Sequence, residues 1–152
     1  MVGGGAVEFY TGSALMTGDI DVTTPLQPEF EEELRRLGFV RPSGAGKSTR
    51  GWIHPNLGLG LEIVGNVPLD GGADPARMLL VQPVDETACF RILSVEDMIA
   101  DRMGQFASGA APEMRGQAQA LFALYEELDR AYLERRIREE TLGDYGIDDI
   151  QG

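Results

Sequence analysis

Apolar and polar positions alternate in short stretches through the first two thirds of the chain, then change to helical spacing. Asp19-Ile20-Asp21-Val22-Thr23 alternates acid with apolar residue, the period of a half-buried strand. Residues 39–41, 51–54 and 59–65 predict further short strands around a glycine- and serine-containing loop. Met78–Val84 and Ala88–Leu93 predict two more, separated by the turn-like Asp85-Glu86-Thr87. A short helix, Ala6–Tyr10, is expected after the glycine run Gly3-Gly4-Gly5. Pro28 to Gly38 reads as a clear helix, with proline in its first turn, acids early, arginines late and glycine at its end. Phe30, Leu34 and Leu37 form its inner stripe.

From Ser94 onward the spacing is helical. Ser94-Val95-Glu96-Asp97 resembles a capping box with Asp in place of Glu, opening a helix to about Phe106. A connector at Gly109–Pro112 leads to a long helix over 113–140, with Ala118, Leu121, Phe122, Tyr125, Leu128 and Tyr132 on one stripe. Its charged end, Glu134–Glu140, reads as a solvated face. Residues 143–152 are acidic and contain glycine, which predicts a frayed, flexible tail. The expected architecture is α+β, a short twisted mixed sheet with helices packed on one side and a C-terminal helical extension. One domain spans 1–152, with a sheet core at 1–93 and helices at 94–142. A strand ending at Val2 is too short to pair over a useful length. The sheet edge beside Asp19–Val22 is therefore predicted to be exposed. Residues 1–5 are then disordered, the edge is taken by a second copy, or a helix and strand lie upstream.

Composition narrows the function classes. With 43% hydrophobic and 25% charged residues, the chain has the balance of a soluble globular protein. It carries no apolar run of membrane-span length and no signal-peptide pattern. Its one cysteine, Cys89, excludes an internal disulfide, fits a reducing cytoplasm and reads as a small core residue. The net charge of −12 repels a long polyanion, which disfavours extended RNA or DNA as a partner.

The candidate chemistry lies in the acids. Strand alternation puts Asp19 and Asp21 on one face, and Glu62 stands between apolar residues in a second predicted strand. Two carboxylates this close repel unless a cation sits between them. Their hard oxygens suit Mg²⁺, which completes its shell with phosphate and water. A glycine turn opening a helix offers N–H groups to a phosphate. Gly44-Ala45-Gly46-Lys47-Ser48-Thr49 has the end of a P-loop, but Arg41 stands where its first glycine belongs. The following Arg50-Gly51-Trp52-Ile53 looks like another strand, so a turn is expected, with Lys47 adding no more than about 1 kcal/mol to nucleotide binding. His54 is the only histidine, which argues against a zinc site and a Ser-His-Asp triad. Trp52 and Tyr10 are expected to be partial core.

The stretch GGGAVEFYTGSALMTGDIDV, residues 3–22, resembles the signature of the polymerase-β-like nucleotidyltransferase superfamily. That signature is a Gly-Gly or Gly-Ser turn, a short helix, and Asp-x-Asp on a strand. Glu62 in GLEIVG is similar to the third carboxylate on a neighbouring strand. ILSVEDMIADRM, followed by a helix from near Pro112, looks like the C-terminal part of small bacterial and archaeal members. These include minimal nucleotidyltransferases and nucleotidyltransferase-like toxins. The resemblance implies transfer of a nucleoside monophosphate from a nucleoside triphosphate to an acceptor hydroxyl. It implies Mg²⁺ or Mn²⁺ held by Asp19, Asp21 and Glu62, with Glu62 also orienting or deprotonating the acceptor. It places the β- and γ-phosphates on the backbone of Gly3, Gly4 and Gly5, with Ser13. Two other functions fit the same resemblance. One is a degenerate nucleotidyltransferase fold that binds nucleotide or a protein partner, a second copy included. The other is the toxin of a toxin–antitoxin pair, which modifies an RNA acceptor and has an antitoxin partner.

Overall fold

The alternation at residues 19–23 forms strand β1 (Asp19–Thr23) in the computed structural model, which describes residues 1–16, 18–42, 51–84 and 88–151. Helix α1 (Gly3–Tyr10) precedes it and α2 (Gln27–Arg36) follows. Strands β2 (Trp52–His54) and β3 (Leu59–Gly65) complete a three-stranded sheet of order β1–β3–β2. β1 runs parallel to β3 and β2 antiparallel to it, so the sheet is mixed. A 3₁₀ turn, Pro68–Gly71, leads to an antiparallel pair, β4 (Leu79–Val81) and β5 (Phe90–Ile92). Helices α3 (Val95–Ala107), α4 (Met114–Leu124), α5 (Arg130–Glu140) and α6 (Asp148–Gln151) end the chain. The class is therefore α+β. The expected turns at Gly44–Thr49 and Asp85–Thr87, with Lys47 and Arg50, lie outside the described residues.

Residues 1 and 2 join the two sheets. The Met1 amine donates to Arg91 O, and the Leu93 N–H donates to Met1 O at 3.3 Å. One residue on, the Val2 N–H donates to Asp21 O at 2.9 Å, and Val2 is buried. Of the three alternatives for the chain start, disorder at residues 1–5 is therefore corrected. One bridging residue and a helix start hold them, without a full strand. The glycines also lie inside α1 as its first turn, rather than in a turn before it.

The core sits where α1 and β5 meet the C-terminal helices. Val7, Ile92, Met98, Met103, Leu121 and Ile137 are fully buried there. Each such side chain contributes about 1.5–3 kcal/mol. Ser94 caps α3 by accepting the Asp97 N–H at 3.1 Å. The Asp97 carboxylate itself turns inward. Fully buried, it accepts from Arg136 Nε at 2.9 Å, from the Tyr132 hydroxyl and from the Ser94 hydroxyl. This cluster fixes the start of α3 against α5. On the opposite side of the sheet, Trp52 is paired with Leu61 and buried beneath α2, with Arg35 and Arg41 guanidinium groups over its ring.

Several expectations are corrected by packing. The single helix over 113–140 is two helices, because Tyr125 is extended and the Asp129 carboxylate caps α5 by accepting the Tyr132 N–H. The tail at 143–152 does not fray over its described part. Ile147 and Ile150 enter the core, and Arg115 donates to Asp149 O at 2.6 Å. Leu37 is 55% exposed, because α2 ends at Arg36 and turns it outward. Cys89 is exposed rather than core. Trp52 is whole rather than partial core. His54 is structural, its Nε2 lying 3.1 Å from Leu37 O. Among the described residues no helix is long and apolar enough to cross a membrane.

Candidate functional site

Register decides which acids meet. In the parallel pairing Asp19 stands beside Gly60, and Asp21 beside Glu62. Side chains on paired positions share a face. Asp19, Asp21 and Glu62 therefore lie on the face opposite Trp52 and α2.

Two glycines make room for the two aspartates. A Cβ at Gly60 would lie 1.9 Å from Asp19 Oδ1. A Cβ at Gly3 would lie 1.9 Å from Asp21 Oδ2, and Gly3 also has φ +59°, which side chains rarely adopt. The first turn of α1 comes down onto Asp21, and the Gly4 N–H donates to its Oδ2 at 3.2 Å. A carboxylate at this helix end meets N–H groups that no carbonyl within the helix can satisfy.

Asp21 is half-buried, and burial is the main reason its carboxyl is held above the usual carboxylate range. The Gly4 N–H opposes that shift. Glu62 and Asp19 reinforce it, while the Arg102 charge opposes it. The balance is a carboxylate short of positive charge.

A cleft of about 620 Å³ opens over this face. Gly3, Gly4, Asp19 and Asp21 form one wall. Asp101, Arg102 and Gln105 from α3, with Glu113, Met114 and Gln117 at the start of α4, form the other. Leu69 and Asp70 also line it. Asp19, Asp21, Asp70, Asp101 and Glu113 outweigh the single cation Arg102, so the cleft is strongly acidic.

Such a cleft suits a hard divalent cation. Its donors are oxygens, and Asp21 lacks compensating charge. Among the described residues, no three Asp, Glu, His or Cys side chains converge into a metal-ligand set. Two protein carboxylates match Mg²⁺ chemistry, in which substrate phosphate and water supply the other ligands. Of the three acids expected from the sequence, Asp19 and Asp21 line the cleft; Glu62 stands beside Asp21 but outside the lining.

The phosphate residues implied by the resemblance are divided. Gly3 and Gly4 line the cleft, though the Gly4 N–H is already bonded to Asp21. Gly5 is buried against Ile20 and does not line it. Ser13 is exposed beyond the far end of α1, about 12 Å of helix away from Gly3, and is not part of the lining. Two residues that the sequence reading passed over matter here, Gly60 and Arg102. A glycine inside a strand signals close approach, which is the hint Gly60 offered. Arg102 is the one basic residue of α3.

No family model matches the chain. No curated protein matches it either.

Proposed function

We propose that the chain is a metal-dependent nucleotidyltransferase that moves a nucleoside monophosphate from a nucleoside triphosphate to an acceptor hydroxyl. The observation that carries this reading is the pair Asp19 and Asp21 on one strand face, each in space left by a glycine, with Asp21 also set against a helix start. Asp19 and Asp21 would hold Mg²⁺ or Mn²⁺. When bound, the ion supplies charge neutralisation at the transferred phosphoryl group. Gly3 places the backbone of the α1 start beside the phosphate chain. Glu62 adds negative charge next to Asp21, which favours a cation there and draws the acceptor's proton toward this face. The acceptor oxygen forms the new bond to the α-phosphorus as pyrophosphate leaves.

A nucleotide-binding module without turnover is the second reading. The Gly4 N–H favours it, being engaged by Asp21 rather than open to a phosphate. A toxin acting on RNA would need basic surface, which a net charge of −12 opposes. The test is calorimetry of ATP with and without Mg²⁺ on the wild type and on Asp19→Asn/Asp21→Asn, with pyrophosphate release measured alongside. Binding that needs both Mg²⁺ and the aspartates, in a variant that still folds, supports the site. A double variant that binds MgATP like the wild type refutes it. Pyrophosphate release separates the enzyme from the binding module.

A further inference from the structure

Among the described residues Arg102 is the one cation that lines the cleft, and part of its donor capacity is unused. Its side chain is 4% exposed. A guanidinium carries five N–H donors. Here Nη2 pairs with Asp101 Oδ2 at 2.9 Å. Nη1 reaches Met114 Sδ at 3.2 Å and Gln117 Oε1 at 3.5 Å, the outer limit of a hydrogen bond. Nε is buried with no partner. A thioether is a weak acceptor, and an unmatched N–H on a buried charge is costly. An apolar side chain would fill this place at lower cost if packing were its only role.

The position explains the arrangement. Arg102 and Met114 both line the cleft, on the wall facing Gly3, Gly4 and Asp21. Met114 begins α4, and an unbranched thioether can swing aside where a branched side chain could not. We infer that Arg102 is the anion-binding residue of this cleft, with the Met114 sulfur holding the place of a phosphate oxygen until a polyphosphate displaces it. The Nη1 N–H groups then donate to phosphate oxygens, and Asp101 keeps Nη2 in place. Around a lone phosphate the five acids of the cleft are repulsive, so the ligand class is a polyphosphate chain carrying its own cation. The identity of that ligand rests on the nucleotide reading above; the anion site itself does not.

The test uses inorganic tripolyphosphate on the full chain, titrated by calorimetry in Mg²⁺ and again in EDTA. Arg102→Lys keeps the charge but loses Nε and the forked donors. It is expected to weaken tripolyphosphate binding about tenfold in Mg²⁺, the scale of a lost charge-assisted contact, with wild-type binding weaker in EDTA than in Mg²⁺. Met114→Ala removes the competing sulfur and is expected to tighten binding about threefold. Tripolyphosphate affinity unchanged in Arg102→Lys overturns the inference, as does absence of binding by the wild type in both conditions. If Arg102→Lys fails to fold, Met114→Ala decides alone, and equal or weaker binding there overturns it. A tripolyphosphate response to Arg102, with MgATP binding indifferent to Asp19 and Asp21, would sink the transferase reading and leave this site standing.

Discussion

Gly60→Ala probes the carboxylate geometry without touching a charged group. Gly60 sits within β3 and does not have positive φ, so alanine brings no backbone strain. Replacing glycine in a strand removes an entropic penalty of about 0.5–1 kcal/mol. The new methyl would lie 1.9 Å from Asp19 Oδ1 and 3.0 Å from its Cγ. Ordinary contact begins near ~3.5 Å, so the carboxylate must retreat by about 1.5 Å. Asp19 is exposed and free to rotate, at a cost of about 0.5–1.5 kcal/mol if it leaves its rotamer. The two terms nearly cancel, so stability should stay within about 1 kcal/mol of wild type. Metal-dependent binding should not survive as well. A retreat of that size withdraws one ligand from the ion, so MgATP affinity should fall about tenfold, the scale of a lost charge-assisted contact. Urea denaturation and MgATP calorimetry on the same preparation read both quantities. In an Asp19→Ala background the added Gly60→Ala should change MgATP binding no further, while stability rises by about 0.5–1 kcal/mol. If Gly60→Ala folds normally and binds MgATP like the wild type, the position of the Asp19 oxygens is irrelevant and the site argument fails.

Two further outcomes follow from charges already described. The Asp21 carboxyl is raised chiefly by burial, so the folded state holds its proton to higher pH than the unfolded chain. Stability therefore falls as pH rises between the two values, and Asp21→Asn should melt higher than wild type at neutral pH and equal to it below the unfolded carboxylate range. A variant less stable than wild type at neutral pH, by thermal unfolding across pH without metal, contradicts this sign. Asp97→Ala leaves Arg136 Nε and the Tyr132 and Ser94 hydroxyls without their acceptor, although Arg136 keeps Glu139 and Glu140. The expected loss is about 3–5 kcal/mol. At this chain length it lowers the melting temperature by about 10 °C; scanning calorimetry showing a change of only a degree or two would mean the cluster is dispensable.

Local signals were legible wherever the chain carries its own punctuation. Asp19–Thr23 has a period of two, and α2 has proline, early acids and late arginines, so both elements emerged from the residues. The break at residues 125–129 was hidden, because no glycine or proline makes it. A capping aspartate does, and Asp129 looks like any other acid in a charged helix. The tail was misread by composition. Its three acids and three glycines set the composition, while Ile147 and Ile150 do the packing. In the site, the aspartate pair was visible and its surroundings were not. That Gly60 lies beside Asp19 depends on strand register, a tertiary choice. That Arg102 faces the cleft depends on how α3 sits against α4, since along the sequence it is one charge within an apolar stripe.

The parallel pairing of β1 with β3 has a consequence for the order of assembly. Parallel neighbours cannot be joined by a hairpin; the chain must leave the sheet and return. Here the connection carries α2 and the antiparallel strand β2 before Gly60 can reach Asp19. The helices α3, α4 and α5 are successive along the chain, and α3 packs on both of the others. Contacts between sequence neighbours close early, and long crossovers close late. The C-terminal helices are therefore expected to form ahead of the carboxylate wall of the cleft. A chain arrested partway would show its helical spectrum nearly complete while holding no paired aspartates, so helicity alone says little about whether this protein is competent.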